Sequence, residues 1–294
     1  MKPKIIVHGG ASRSSDDESD RKKDVINACK IGYEALLEKD AVEAVEIAIR
    51  NLEASAFLNA GVGSYLQLDG RVRMDASIMK DDLSAGAVIA IEDVEHPISV
   101  ARRVMETTQH VILSGRLATE FAHSEGFPRY DPRTRPKVNL WMEIMEEFRQ
   151  KTTYEQIFHV DRYLKEGRFT LGTVGCVAMD SNGGIAAGTS TGGLKMNVPG
   201  RVGDSGIIGA GTYCSKYGGV SCTGYGEKIL VLSLGKQVVN HLKFSKSAKA
   251  MDAAKYGIEE LNSLHANGGI ICIDKQGNIG YAHNTKIMTM HYIE

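Results

Sequence analysis

The chain has 294 residues, a formal net charge of −1 and 43% hydrophobic residues. That length allows one large domain or two small ones, with apolar residues enough for a sizeable core. The near-neutral charge gives no footprint for nucleic acid or an anionic membrane, and no apolar run reaches the ~20 residues of a membrane span.

In chain order, the apolar run Lys4 to His8, closed by Gly9-Gly10, reads as a first strand. Two helices follow. In DVINACKIGYEALLEKD, Val25, Cys29, Gly32 and Leu36 share a face; in DAVEAVEIAIRNLEA, Val42, Val45, Ile49 and Leu52 do the same, with Asp40 as N-cap. FLNAGVGSYLQLDGRVRMDASIM reads as a hairpin turning at Asp69-Gly70, and AGAVIAIED as a buried strand. Pro97 opens a helix expected to run to about Ser114.

From Phe127 the composition changes. FPRYDPRTRPKVN is rich in proline and charge, LWMEIMEEFRQ is helical, and the polar KTTYEQIFHVDRYLKEGRF follows. Asp131–Phe169 is read as a mobile connecting segment, since so long a loop inside a domain is usually functional or flexible.

Beyond it, two strands flank Asn182-Gly183, the strongest hairpin signal in the chain. A glycine-rich region comes next. VSCTGYGEKILVLSLGKQVVNHL then passes from strand to helix, and SKSAKAMDAAKYGIEELNSLH is a further helix with Ser245 or Ser247 near its N-cap. GGIICIDKQGNIGYAHN closes as a terminal hairpin. Strands come in hairpins and helices in pairs, which points to antiparallel sheet with helices packed on it rather than to alternating βαβ units.

Cysteines 29, 176, 214, 222 and 272 are odd in number and widely spaced, and they read as reduced core thiols. The nine histidines show no metal-ligand spacing. The N-terminal MKPKIIVHGG holds too short an apolar run for a signal peptide, so a cytoplasmic location is expected.

The stretch GTVG, residues 172–175, places a hydroxyl where a buried strand begins. Counting outward from Asn182-Gly183 puts Thr173 opposite Thr191 or Gly192, for a loop of three residues or two. Polar groups thus gather at one end of an apolar hairpin. A cross-strand threonine pair is also ordinary sheet chemistry, so this alone leaves site and plain strand both open. Downstream, PGRVGDS sets Arg201 and Asp204 three residues apart. They read either as an exposed ion pair or as complementary charges for the α-carboxylate and α-ammonium of an amino acid. SCTGYGE ends a strand with Thr223, Gly224 and Gly226, small residues that let backbone N–H groups approach a ligand.

Together these motifs resemble the N-terminal-nucleophile, or plant-type, asparaginase and isoaspartyl peptidase family. The resemblance covers nearly the whole chain: HGGA at His8–Ala11, LNAGVGS at Leu58–Ser64, then GTVG, TSTGG, PGRVGDS, GAGTY and CTGYGE in the family's order. It implies an α+β fold, a four-layer αββα sandwich forming one domain. It also implies self-cleavage between Gly172 and Thr173 into residues 1–172, with a mobile tail from about 131 to 172, and residues 173–294. The implied activity is hydrolysis of the side-chain amide of asparagine, of β-aspartyl dipeptides, or of both, through an acyl-threonine.

In that scheme Thr173 attacks and Thr191 holds it. The Thr223 hydroxyl and Gly224 N–H form the oxyanion hole, Arg201 and Asp204 take the substrate's α-groups, Gly226 shapes the pocket, and Asn59 positions the nucleophile region. No cofactor is expected for catalysis. A structural sodium would be held by backbone carbonyls of Leu52, Glu53, Ser55, Leu58, Ala60 and Val62. The expected partners are a small amino acid or dipeptide, neither nucleic acid nor membrane, and a second αβ unit in a dimer.

The chemistry has its own logic. A threonine hydroxyl needs a base, and a freed α-amine, titrating at about 7.7–8.0, supplies one on the same residue. Departures from the family pattern are Ser12 after HGGA, Tyr225 in the oxyanion segment and the loosely matching HNTKIMTMHY. Rival readings are a glycosylasparaginase-like amidase, an unprocessed binding or scaffold protein, and a nucleotide-binding module. The last lacks both G-x-G-x-x-G in GAGTYCSKYGG and G-K-[ST] in GYGEKIL.

Overall fold

The computed structural model describes residues 1–12, 18–151, 172–245 and 247–294. It is a mixed α/β structure with two sheets. The larger sheet has seven strands: β1 (Lys4–Ser12), β2 (Met74–Lys80), β3 (Ala85–Ile91), β4 (Ile112–Ser114), β5 (Val174–Met179), β6 (Ile185–Thr191) and β11 (Ile287–Ile293), in the order β11-β1-β5-β6-β2-β3-β4. The smaller has four: β7 (Thr212–Ser215), β8 (Gly218–Gly224), β9 (Gly268–Asp274) and β10 (Ile279–His283), in the order β10-β9-β8-β7. All pairs are antiparallel except β3–β4, which a helix connects.

Apolar periodicity sends α1 (Glu18–Leu36) and α2 (Ala41–Glu53) onto the larger sheet, where Val25, Cys29, Leu36, Val45 and Ile49 join one buried cluster with Ile5, Val174 and Cys176. Asp40 caps α2 by accepting from Glu43 N at 2.9 Å. A second cluster, with Ile6, Val177, Met179, Ile271 and Ile273, combines residues of the two sheets. A third buries Val238, Val239, Ala254 and Leu261, from α7 (Leu234–Phe244) and α8 (Ala250–Ser263), with Val220 and Ile270 of the smaller sheet. The five cysteines are buried and unpaired. No helix among the described residues is long and apolar enough to cross a membrane.

Several elements depart from the sequence reading. Asp69-Gly70 does turn, with Gln67 N donating to Arg71 O at 2.8 Å, but no strand precedes it. Residues 66–68 instead bond the loop at 196–197, and β2 pairs with β3 and β6. The helix opened by Pro97, α3, stops at Thr107; the Thr108 hydroxyl donates to Val104 O and the chain re-enters the sheet as β4, before α4 (Gly115–Ser124). α8 is capped not by a serine but by Lys249, whose N–H donates to Asp252. Ser233, at φ 49°, separates α6 (Gly226–Leu232) from α7. After the β9–β10 hairpin the chain crosses to the larger sheet, where β11 pairs with β1 and Ser12, at the end of β1, lies opposite Ile287.

Within the expected connecting segment, LWMEIMEEFRQ falls in α5 (Arg135–Lys151). Its Trp141, Ile144, Met145 and Phe148 pack on Leu68 and Met196. Residues 152–171, the rest of that segment, lie outside the described residues.

Candidate active site

The hairpin β5–β6 sets the geometry. Asp180 accepts from Asn182 N and Gly184 N, both at 2.9 Å, and so fixes the turn. The ladder then pairs Val174 with Ser190 and Gly175 with Thr189, a register that sets Thr173 opposite Thr191. The longer of the two loop counts is the correct one.

Thr173 is buried, and its Oγ1 donates to Thr191 Oγ1 at 3.3 Å. Thr191 Oγ1 donates in turn to the Gly172 carbonyl at 3.1 Å. Asn59 Nδ2 donates to the same carbonyl at 2.8 Å and to Gly193 O at 2.5 Å, while its Oδ1 accepts from Tyr65 N at 3.1 Å. Two donors therefore converge on the oxygen of the peptide bond that precedes Thr173. The loop after β1 presses on the same bond: a Cβ on Gly10, whose φ is +102°, would lie 3.2 Å from both Gly172 Cα and Thr173 N.

A narrow cleft opens on this bond, lined by Gly172, Thr173, Thr191, Arg201, Asp204 and Gly224 among others. Arg201 is held through Nε by Glu227 Oε1 at 2.9 Å, which leaves its other guanidinium nitrogens for a ligand. Asp204 is fully buried in effect, 4% exposed, and its Oδ2 has no partner. Burial pushes its pKa up to about 7 against the opposing pull of Arg201. A Cβ on Gly226 would lie 2.8 Å from both Arg201 Nη2 and Asp204 Oδ1, so only glycine lets these two groups share the space. Thr223 Oγ1 is buried without a partner, and Gly224 has φ +147°. An orphaned carboxylate oxygen in the wall of this cleft, with a second orphaned oxygen on the residue preceding the lining Gly224, marks a place where a polar ligand completes the bonding. Tyr225, 40% exposed, is not among the lining residues.

The sequence reading passed over several groups that the fold brings here. Asp75 pairs with Thr191 across β2–β6 and accepts from Ala90 N at 2.8 Å and from the Gly203 backbone. Burial raises its pKa to about 6. Glu227 belongs to the quoted CTGYGE, but its role shows only when Arg201 is seen beside it. His8 belongs to HGGA; burial lowers its pKa to about 3, against the opposing pull of the Thr173 backbone.

The loop of residues 52–62, expected to hold a cation, folds back on itself through a short 3-10 turn at Gly61–Gly63. A Cβ on Gly63 would run into Leu58 O and lie 2.6 Å from Ser55 O, and one on Gly61 would run into Glu53 O. Carbonyl oxygens thus converge on side-chain-free positions, a donor set suited to a hard monovalent cation. The Leu52 and Ala60 carbonyls accept from Ser55 N and Gly63 N, both at 3.2 Å.

A sequence profile of the asparaginase family matches residues 1–294. The chain belongs to the asparaginase family. Among similar members, the plant-type L-asparaginase of Pyrococcus horikoshii is 42% identical over 294 residues, covering 99% of this chain and 96% of the relative. The isoaspartyl peptidase/L-asparaginase of Bos taurus is 40% identical over 283 residues, covering 94% and 88%. The human protein of that name is 39% identical over 288 residues, covering 95% and 89%. The whole length of the chain, both the part before Thr173 and the part after it, is therefore shared with the asparaginase family.

Proposed function

We propose that this chain is an autoprocessing amidohydrolase that hydrolyses the side-chain amide of L-asparagine, β-aspartyl dipeptides, or both, with Thr173 as nucleophile. The observation that carries the proposal is the convergence of Asn59 Nδ2 and Thr191 Oγ1 on the Gly172 carbonyl, next to the Thr173 hydroxyl.

In the precursor, Thr173 Oγ1 attacks the Gly172 carbonyl carbon through a five-membered ring. The oxygen gains negative charge where the two donors already point, which lowers the barrier. The bond between the Gly172 carbonyl carbon and Thr173 N breaks, the nitrogen takes the hydroxyl proton, and an ester joins the Gly172 carbonyl to Thr173 Oγ1. Water then hydrolyses the ester to leave the Gly172 carboxylate and a free Thr173 amine.

In the mature enzyme that amine accepts the Thr173 hydroxyl proton. The substrate's α-carboxylate meets Arg201 and its α-ammonium meets Asp204, whose free Oδ2 lacks any other partner. The side-chain carbonyl carbon is attacked and its oxygen takes bonds from Thr223 Oγ1 and Gly224 N–H. Ammonia or an amine leaves, and water releases aspartate. Gly226 keeps the pocket open for both charged groups.

The carbonyls of Glu53, Ser55 and Leu58, with those of Leu52, Ala60 and Val62, would hold a sodium ion that ties the Asn59 loop to α2. We infer the finer architecture to be four layers, αββα, supported by three apolar clusters: helices on the larger sheet, sheet against sheet, and helices on the smaller. The test is intact mass and N-terminal sequencing of incubated protein. Fragments of 1–172 and 173–294, with a Thr173→Ala control that stays whole, support the reading; amide hydrolysis by an uncut chain overturns it.

A further inference from the structure

We propose that His8 is a positioning residue that locks the backbone on both sides of the Gly172–Thr173 bond, held in one tautomer by a chain of buried hydroxyls between the two sheets. This rests on the proposed self-cleavage at that bond.

The chain is laid out by strand register. His8, Gly175, Thr189 and Ser77 form one row across β1, β5, β6 and β2 of the larger sheet. Facing it from the smaller sheet are Ser221 and Thr212, themselves a cross-strand pair. His8 Nε2 lies 3.0 Å from Ser221 Oγ, Ser221 Oγ lies 2.7 Å from Thr189 Oγ1, and Thr212 Oγ1 reaches Thr189 at 2.6 Å and Ser77 at 2.8 Å. All these residues are buried, Ser77, Thr189, Thr212, Ser221 and His8 at 0% exposure.

The second glycine of GTVG, which the proposed chemistry does not use, makes room for this. A Cβ on Gly175 would collide with Ser221 Oγ and lie 2.5 Å from His8 Nε2. Any other residue there would break the bond between imidazole and hydroxyl.

The proton positions follow from the surrounding donors and acceptors. Gly10 N donates to His8 Nδ1 at 3.3 Å, so Nδ1 carries the lone pair and Nε2 the hydrogen. At the far end, Thr189 donates to Gly211 O and Ser77 to Ser205 O, carbonyls that only accept. Ser221 then donates to Thr189 and has a lone pair left for Nε2–H. The ring is thus a neutral, oriented dipole rather than a base for Thr173. One side of it grips the Gly10 amide, and the Gly10 backbone abuts Gly172 on one side of the scissile bond and Thr173 on the other.

Full-length His8→Ala, His8→Asn and Ser221→Ala are compared with wild type and Thr173→Ala. Cleavage is followed by denaturing gel and intact mass, folding by melting temperature, and matured fractions by kcat and KM. His8→Ala is expected to slow cleavage about tenfold or more and to lower kcat with KM nearly unchanged. His8→Asn, whose Oδ1 still accepts from Gly10, is expected to recover most of the cleavage rate. Ser221→Ala, which leaves Nε2–H without its acceptor, is expected to slow cleavage several-fold, and it carries the test where His8→Ala does not fold. Wild-type cleavage in a folded His8→Ala or Ser221→Ala, or an asparagine variant no faster than alanine at equal melting temperature, overturns the proposal. A wild-type chain that stays whole, like Thr173→Ala, instead sinks the proposed function beneath it.

Discussion

Thr191 Oγ1 accepts the Thr173 hydroxyl at 3.3 Å and donates to the Gly172 carbonyl at 3.1 Å. One oxygen therefore touches both the attacking atom and the attacked group. We expect Thr191→Val, which keeps the shape and removes the hydroxyl, to slow cleavage on the order of 10²-fold, the usual loss for one oxyanion donor. Thr191→Ser should recover most of it. The ratio of cut to uncut chain on a denaturing gel against time decides this.

Asp204 gives a pH dependence with a definite sign. Its pKa is raised by burial from 3.8 to about 7, so the folded state holds this proton where the unfolded chain has lost it. The group therefore costs stability progressively as pH rises from 3.8 towards about 7, and Asp204→Asn should melt higher than wild type at pH 7.5. Function runs the other way. An α-ammonium needs the ionised carboxylate, so wild-type KM should climb as pH falls below about 7. In Asp204→Asn, KM should be roughly 10–100-fold higher and lose that climb, as removal of a charge-assisted bond implies. Steady-state kinetics between pH 5 and 8 measure both.

Gly175→Ala introduces a methyl where Ser221 Oγ and His8 Nε2 already meet. Overpacking of this kind costs about 1–3 kcal/mol. The variant should show a lower denaturant midpoint with an unchanged slope, read by urea unfolding of the Thr173→Ala background so that cleavage does not intrude.

The cation loop predicts a specific salt effect. Wild type dialysed into tetramethylammonium chloride should melt lower than in sodium chloride at equal ionic strength, and Gly63→Ala, whose methyl would crowd the Ser55 and Leu58 carbonyls, should lose the difference. Equal melting curves in the two salts would remove the cation from the account.

Periodicity made α2 and its Asp40 cap legible, and Asn182-Gly183 located the central hairpin, because these signals are local. The register of Thr173 stayed open by one residue because it depends on Asp180, a side chain whose two turn bonds no propensity records. The Asp69-Gly70 turn misled for the opposite reason: the turn is real, but the first limb bonds a loop more than a hundred residues away. Arg201 and Asp204 were readable from complementary charge. Asp75, Glu227 and Ser221 were not, since each matters only through a neighbour brought from a distant strand or helix.

The order of strands in the larger sheet has a consequence for the life of the molecule. β1 through β4 precede Gly172, whereas β5, β6 and β11 follow it, and β1 lies between β11 and β5 while β6 abuts β2. Cutting after Gly172 thus yields two polypeptides woven together, neither of which holds a whole larger sheet. A nicked molecule that denatures must find a mate by collision before it can rebuild this weave, so its recovery depends on concentration, whereas the uncut precursor folds on its own. Such a cut would make maturation a one-way gate: the chain would assemble as a monomolecular object and afterwards persist by the slowness of its own undoing.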